Sequence, residues 1–186
     1  EMGATVKAVN TTEGTPPFAF SESALAECRG IIARYPQGRT KSALIPILHI
    51  AQAENGGWLS VNAMDAVAGL LGLQHIEVYE VASFYSMFHL HPVGRHVLEI
   101  CRTSPCMLRG SDDLIAHAER RLGIHVGETT KDGQFTLKAV ECLGSCGTAP
   151  MLQCGAKYHE DLTPEKFDAL LEQLRSAPVR SNYTDR

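Results

Sequence analysis

The stretch Val97-Leu-Glu-Ile-Cys101-Arg-Thr-Ser-Pro-Cys106-Met-Leu-Arg-Gly-Ser111 changes the character of the chain. Upstream of it, apolar residues recur at helical spacing. From Val97 to Cys101 they form a short run that reads as a strand ended by a cysteine. Ser111 reads as the cap of a helix with Leu114, Ile115, Ala118 and Leu122 inward, closed by Gly123. Phe135 to Val140 reads as a second strand, and a short strand is possible near Val126. Met151 to Cys154 and Lys157 to His159, joined by Gly155-Ala156, read as a hairpin with a two-residue turn. Thr163-Pro164 opens a last helix whose stripe is Phe167, Leu170, Leu171 and Leu174.

Working outward, residues 20–92 carry four helical patterns. Ser21 or Ser23 caps the first, with Leu25, Cys28 and Ile32 on one face, and Pro36-Gln37-Gly38 stops it. Ser42 caps the second, with Leu44, Ile47, Leu48 and Ala51 inward and Pro46 about one turn in. Ser60 caps the third, with Ala63, Val67, Leu70 and Leu71 inward and Gly72 after it. The fourth runs from about Ile76 to Phe88, with Val78, Val81, Phe84, Tyr85 and Phe88 apolar. These predict a small helical bundle over 20–92. Over 93–176 the order strand, helix, strand, hairpin, helix predicts helices layered on a mixed, thioredoxin-like sheet. The fold class is therefore α+β. Residues 1–19 read as a flexible extension and 177–186 as a polar tail.

The composition bounds what such a chain can do. Its 186 residues are 44% hydrophobic and 20% charged, with a formal net charge of −4. A mildly acidic chain lacks the basic field that binds phosphate backbones, so no nucleic-acid partner is expected. No apolar run approaches the roughly 20 residues that span a bilayer. The first residues lack the basic start and apolar core of a secretory signal.

Six cysteines carry the chemistry: Cys28, Cys101, Cys106, Cys142, Cys146 and Cys154. Four fall in two pairs. Cys101 and Cys106 form C-x4-C after the first strand; Cys142-Leu-Gly-Ser-Cys146 forms C-x3-C after the second. Each pair sits in a loop at a strand end, where a rigid sheet can aim side chains at a common ligand. Spacing alone admits a [2Fe–2S] cluster, a tetrahedral zinc, disulfides or reduced structural thiols. It favours the cluster, because both loops are wider than the C-x2-C of zinc knuckles. An oxidised cluster with four thiolates has a formal charge of −2, and one electron makes it −3, so nearby donors and cations matter. Gly110, Gly144 and Gly147 let backbone N–H groups approach sulfur, and Arg102 and Arg109 flank the first pair. Cys28 and Cys154 stand alone and read as small core residues. His89, His91 and His96 cluster in sequence without metal-ligand spacing. There is no G-x-G-x-x-G and no G-x-x-x-x-G-K-[ST], so no nucleotide loop is expected on this chain.

Val140-Glu-Cys-Leu-Gly-Ser-Cys146 with Ala149-Pro150, the C-x4-C followed by Met107-Leu-Arg-Gly110, and Val78-Tyr-Glu-Val-Ala-Ser-Phe-Tyr85 together carry a resemblance. The chain resembles the thioredoxin-like [2Fe–2S] subunits of respiratory complex I, the E-subunit family of bacterial NADH–quinone oxidoreductases and the 24 kDa family of mitochondria. The likeness runs from about Ala24 to Leu174 and includes Gly127-Glu-Thr-Thr130 and Tyr158-His-Glu-Asp-Leu162. The resemblance implies one [2Fe–2S] cluster held by Cys101, Cys106, Cys142 and Cys146, with no catalytic residue on this chain. It implies that FMN and NADH sit on a partner flavin- and NADH-binding subunit and, through it, that the chain joins the rest of the peripheral arm. Attachment would be peripheral, without direct membrane insertion, on the cytoplasmic side of a bacterial inner membrane or the matrix side in mitochondria. The helical half is then expected to dock the partner. The equivalent subunit of an NAD-linked formate dehydrogenase or hydrogenase shares both cysteine pairs and is the alternative; a zinc-stabilised interaction domain is a further one. One departure is Thr148, where the family usually has Asn; Thr keeps a donor and an acceptor but loses the amide's reach.

Overall fold

The computed structural model describes residues 17–176. The extension expected over 1–19 lies outside the described residues except at 17–19, and the tail expected over 177–186 lies wholly outside them. The chain divides into two compact units, one ending at Pro92 and the other starting at Val93.

In the first unit Ser21 and Ser60 each accept a backbone N–H, from Ala24 and Ala63, at 3.2 Å. These bonds supply partners to amides that a helix start leaves without one, and they begin α1 (Glu22–Ile32) and α3 (Val61–Leu71). Between these two lies α2 (Leu44–Glu54), and α4 (His75–Phe84) follows them. Ser42 does not cap α2. It lies inside a 3-10 turn, Thr40–Ala43, that runs straight into the helix. Pro46 then falls in the first turn, where its missing N–H is not needed. The buried stripe of α1 is Ala24, Cys28 and Ile31, one residue round from the expected Leu25 and Ile32, which are half-buried. Cys28, Ile47, Leu48, Met64, Val67 and Val78 meet in the core.

The fourth helix is shorter than its pattern. Tyr85 leaves helical geometry (φ −84°, ψ 123°), which breaks the 3.6-residue period. Phe88 therefore enters the core from the loop beyond, while Phe84 is left 79% exposed with Tyr85 beside it. The expected five-residue face splits: Val78 and Phe88 are buried, Val81 is half-buried, and the two aromatics at the helix end face solvent.

The second unit is built on β1 (His96–Cys101), β2 (Phe135–Val140), β3 (Leu152–Cys154) and β4 (Lys157–His159), in the order β2-β1-β3-β4. β1 and β2 run parallel, with Leu98 beside Leu137 and Cys101 beside Val140. The other two pairings are antiparallel. Period-2 alternation sends Leu98, Ile100, Leu137 and Leu152 to one face, where they meet Leu114 and Ala118 of α6 (Ser111–Leu122) and Phe167 and Leu170 of α7 (Pro164–Ser176). A short helix, α5 (Ser104–Leu108), precedes α6. Ser111 is the first helical residue rather than a cap; Gly110, at φ 95°, makes the turn before it. No strand forms at Val126. That loop runs beside β2 through scattered backbone bonds, such as the Gly127 N–H to the Leu137 carbonyl at 2.7 Å, and an isolated bridge, Thr129 to Thr136. The second unit is thus an α+β layer, and the first is all helix.

Candidate metal centre

Parallel pairing decides where the two cysteine loops go. With Cys101 beside Val140, β1 and β2 end side by side and their loops leave the same end of the sheet. The Arg102 N–H donates to the Val140 carbonyl at 3.0 Å and the Cys101 N–H to the Met151 carbonyl at 3.2 Å, which ties the first loop to both neighbours. Cys106 is then carried inward by α5, a segment without periodicity enough to read as a helix. Its one sequence signal is the proline at the helix start, Pro105 behind Thr103.

Cys101 and Cys106 are buried in a small cluster with Ala149 and Met151, and Leu143 packs against it. Cys142 and Cys146 are exposed. The thiols interact within pairs, Cys101 with Cys106 and Cys142 with Cys146, and across the loops, because Cys146 lies within electrostatic reach of both Cys101 and Cys106. The structure therefore brings together Cys101, Cys106, Cys142 and Cys146. It leaves Cys28 in the core of the helical unit and Cys154 in the sheet core.

Their acidities differ for identifiable reasons. Burial raises the Cys101 thiol, but hydrogen bonds from the Thr103 hydroxyl and N–H, the Leu143 N–H and the Cys106 thiol bring it below the usual range. Cys106 is pushed up to about 11, first by burial and then by its bond to Cys101. Cys146 is raised by its bond to Cys142. Cys28 and Cys154 are both pushed up to about 11 by burial.

The donor set suits an anionic iron–sulfur cluster. All four side chains are sulfur, arranged as two pairs. N–H and O–H donors already approach sulfur: Gly144 N–H lies 3.4 Å from Cys142 Sγ, and Thr103 Oγ1 lies 3.4 Å from Cys101 Sγ. Gly144 reaches its position at φ 84°, which glycine alone adopts without strain. Of the flanking cations, Arg102 pairs with Glu141 at 3.4 Å, and Arg109 is exposed at the end of α5.

Two residues that spacing did not single out hold the second loop. The Tyr158 hydroxyl donates to the Leu143 carbonyl at 2.7 Å. Glu160 accepts from the hydroxyls of Ser145 and Thr148, the latter at 2.6 Å, and these two bonds hold its carboxyl below the usual range. The Thr148 hydroxyl also lies 2.8 Å from the Ser145 hydroxyl and 3.3 Å from the Ser145 carbonyl, and the Thr148 carbonyl accepts the Asp161 N–H at 2.8 Å. Of the three histidines, His89 is half-buried and His91 exposed in the first unit, and His96 is buried beside the Phe135 ring at 5.7 Å in the second.

Known proteins resemble this chain in sequence and fold. The model of the thioredoxin-like [2Fe–2S] ferredoxin family matches residues 28–175. The E subunit of the NADH-quinone oxidoreductase of Rickettsia bellii is 46% identical over 159 residues, covering 86% of this chain and 95% of that protein. The mitochondrial NADH dehydrogenase [ubiquinone] flavoprotein 2 of Dictyostelium discoideum is 47% identical over 160 residues, 86% of this chain and 65% of that one. Among solved structures, the NAD+-reducing [NiFe]-hydrogenase in its H2-reduced state superposes with a TM-score of 0.64 at 24% identity. That match covers 73% of this chain and only 22% of the hydrogenase chain, and it speaks to the fold alone.

Proposed function

The chain belongs to the thioredoxin-like [2Fe–2S] ferredoxin family, and from that premise we propose that it is the electron-transfer subunit of an NADH–quinone oxidoreductase. The observation that carries the reading is the convergence of two cysteine pairs at one end of a parallel strand pair. The likeness to the Rickettsia E subunits along nearly their whole length supports the same reading. Cys101, Cys106, Cys142 and Cys146 hold one [2Fe–2S] cluster. When bound, that cluster takes and returns one electron at a time.

The remaining work belongs to this chain's own residues. β1 and β2 fix the loop stems, so the sulfurs are positioned before the cofactor arrives. Ala149 and Met151, both essentially fully buried, cover the side of Cys101 and Cys106 and keep water from it. N–H groups directed at sulfur, from Gly144, Leu143 and Thr103, stabilise negative charge and raise the reduction potential. The exposed pair, Cys142 and Cys146, marks the side open to a redox partner.

FMN and NADH belong to that partner, a flavin-bearing subunit through which this chain joins the rest of the peripheral arm. No helix among the described residues is long and apolar enough to cross a membrane. The cytoplasmic or matrix side is then where the partner meets NADH. Phe84 and Tyr85, exposed at the end of α4 with ring centroids 5.0 Å apart, supply an apolar surface suited to docking it. The test is cluster content. Each of Cys101→Ala, Cys106→Ala, Cys142→Ala and Cys146→Ala should lose the visible spectrum and the iron and sulfide of the full chain. Cys28→Ala and Cys154→Ala should keep them. A full cluster in any of the first four overturns the ligand set.

A further inference from the structure

The segment Tyr158-His-Glu-Asp-Leu162 belongs to neither cysteine loop, and electron transfer gives it no task. Yet it touches the second loop at three points. The Tyr158 hydroxyl reaches the Leu143 carbonyl. The Glu160 carboxylate takes both the Ser145 and Thr148 hydroxyls on one oxygen, Oε1. The Asp161 N–H reaches the Thr148 carbonyl. Those contacts bracket Cys146: Leu143 and Ser145 precede it, and Thr148 follows.

Within itself the loop is held by bonds between Ser145 and Thr148, hydroxyl to hydroxyl at 2.8 Å and to the Ser145 carbonyl at 3.3 Å, but it has little packing. Cys142, Gly144, Cys146 and Gly147 are exposed, and the 3-10 turn Cys146–Thr148 buries none of its own residues. Gly144 and Gly147 have open space where a Cβ would stand, so packing does not confine the loop there. The first loop is different: Cys101 ends a strand, and Cys106 is buried on a helix. Left to itself, an exposed glycine-containing loop samples many conformations. Two thiolates on such a loop would have to be ordered again each time the cluster binds, and every such ordering costs conformational entropy.

We propose that Tyr158 and Glu160 are positioning residues that clamp the Cys142–Cys146 loop, so that the two exposed sulfurs are held at cluster-binding geometry by the edge of the sheet. This rests on the reading that Cys142 and Cys146 are cluster ligands. Tyr158 is on β4, the outermost strand, and Glu160 follows directly after it. The register of β4 against β3, with Gln153 beside Tyr158, transmits the rigidity of the sheet to both side chains. Neither touches sulfur; each acts through a loop carbonyl or hydroxyl. Glu160 acts as an acceptor here, and that distinguishes positioning from a charge effect. An amide oxygen in its place can still accept both hydroxyl protons, whereas a methyl group cannot.

The test uses the full chain carrying its cluster, as Tyr158→Phe, Glu160→Gln, Glu160→Ala, and Ser145→Ala combined with Thr148→Val. Cys142→Ala is run beside them. The readouts are the rate at which EDTA bleaches the visible spectrum, the EPR spectrum of the dithionite-reduced cluster, and far-ultraviolet circular dichroism as a check on folding. Loss of one solvent-facing hydrogen bond should speed bleaching about threefold in Tyr158→Phe. Loss of both hydroxyl-to-carboxylate bonds should speed it about tenfold in Glu160→Ala, and at least as much in the Ser145/Thr148 double variant, which also removes the bond between the Ser145 and Thr148 hydroxyls at 2.8 Å. Adding Glu160→Ala to that double variant should change nothing further, because the same bonds are already gone. Glu160→Gln, whose neutral bonds are about half as strong as those to a carboxylate, should bleach within about threefold of the unaltered chain, with its EPR line shape retained.

Wild-type bleaching rates in Tyr158→Phe, Glu160→Ala and the double variant, with the cluster absent from Cys142→Ala, would overturn the clamp and leave the ligand reading standing. A full cluster in Cys142→Ala would overturn the ligand reading and the clamp with it. Equal effects of Glu160→Gln and Glu160→Ala would assign Glu160 a charge role and overturn positioning. Should Glu160→Ala fail to fold, the Ser145/Thr148 double variant decides the matter from the loop side.

Discussion

Adding one methyl group at Gly94 should destabilise the cluster-bearing unit more than its size suggests. Gly94 is buried just before β1. A Cβ there would lie 2.8 Å from the carbonyl carbon of Phe135, 2.9 Å from its nitrogen and 3.0 Å from the nitrogen of Thr136. All three are backbone atoms of β2, so no side chain can swing aside. The strand would have to move, and overpacking of this kind costs about 1–3 kcal/mol. The move also disturbs the Gly94 N–H donating to Thr136 Oγ1 at 2.6 Å, a buried bond worth about 1 kcal/mol. Together, Gly94→Ala should cost about 2–4 kcal/mol, a large share of the stability of so small a unit. The control is Gly30→Ala. Gly30 lies inside α1 with nothing within 4 Å of its would-be Cβ, so alanine there should stabilise by about 0.5–1 kcal/mol. Urea unfolding followed by circular dichroism measures both, and bleaching of the cluster reports on the second unit by itself. A Gly94→Ala midpoint equal to that of the unaltered chain, with Gly30→Ala behaving as expected, would refute the claim that β1 and β2 meet this closely.

Other outcomes follow from the same structure. In the cluster-free chain at pH 8, iodoacetamide should modify the exposed Cys142 and Cys146 well before Cys28 and Cys154, whose thiols at about 11 leave roughly a thousandth as thiolate; peptide mass mapping over time checks the order. His96 is depressed by burial and then by Arg95, so the folded state prefers the neutral ring. Its contribution to stability is therefore complete above its ordinary value of 6.5 and is lost as pH falls below it, and His96→Leu should flatten the fall in urea midpoint between pH 7 and pH 5. Phe84→Asp should leave the visible spectrum unchanged and weaken co-purification with the flavin-bearing subunit at least tenfold, since the ring is exposed and stacked edge-on to Tyr85 at 5.0 Å rather than buried in the core. Undiminished co-purification would move docking to the face around Cys142 and Cys146.

Much of this protein is legible in its sequence because the determining signals are local. Ser21 and Ser60 cap helices, Gly72 and Gly123 end them, and Gly155-Ala156 turns a hairpin, each through the conformational preference of one or two residues. The two cysteine pairs are visible for the same reason, since each spans only a few residues. What the sequence does not show depends on partners far along the chain. The convergence of the pairs follows from the parallel register of β1 with β2, set by side chains such as Leu98 and Leu137 packing together under α6 and α7. Helix α5 is too short to show a period, and the partner that buries its Cys106, Met151, lies 45 residues further along the chain. The apolar run from Val78 to Phe88 divides between core and solvent because Tyr85 leaves helical geometry, which periodicity cannot foresee. Tyr158 and Glu160 fall in a stretch that the resemblance includes, but spacing gives them no role; only the antiparallel pairing of β4 brings a hydroxyl and a carboxylate to a loop 15 residues upstream. Spacing along a chain encodes contacts within a turn or two, whereas contacts between distant segments are chosen by the burial that the whole fold achieves.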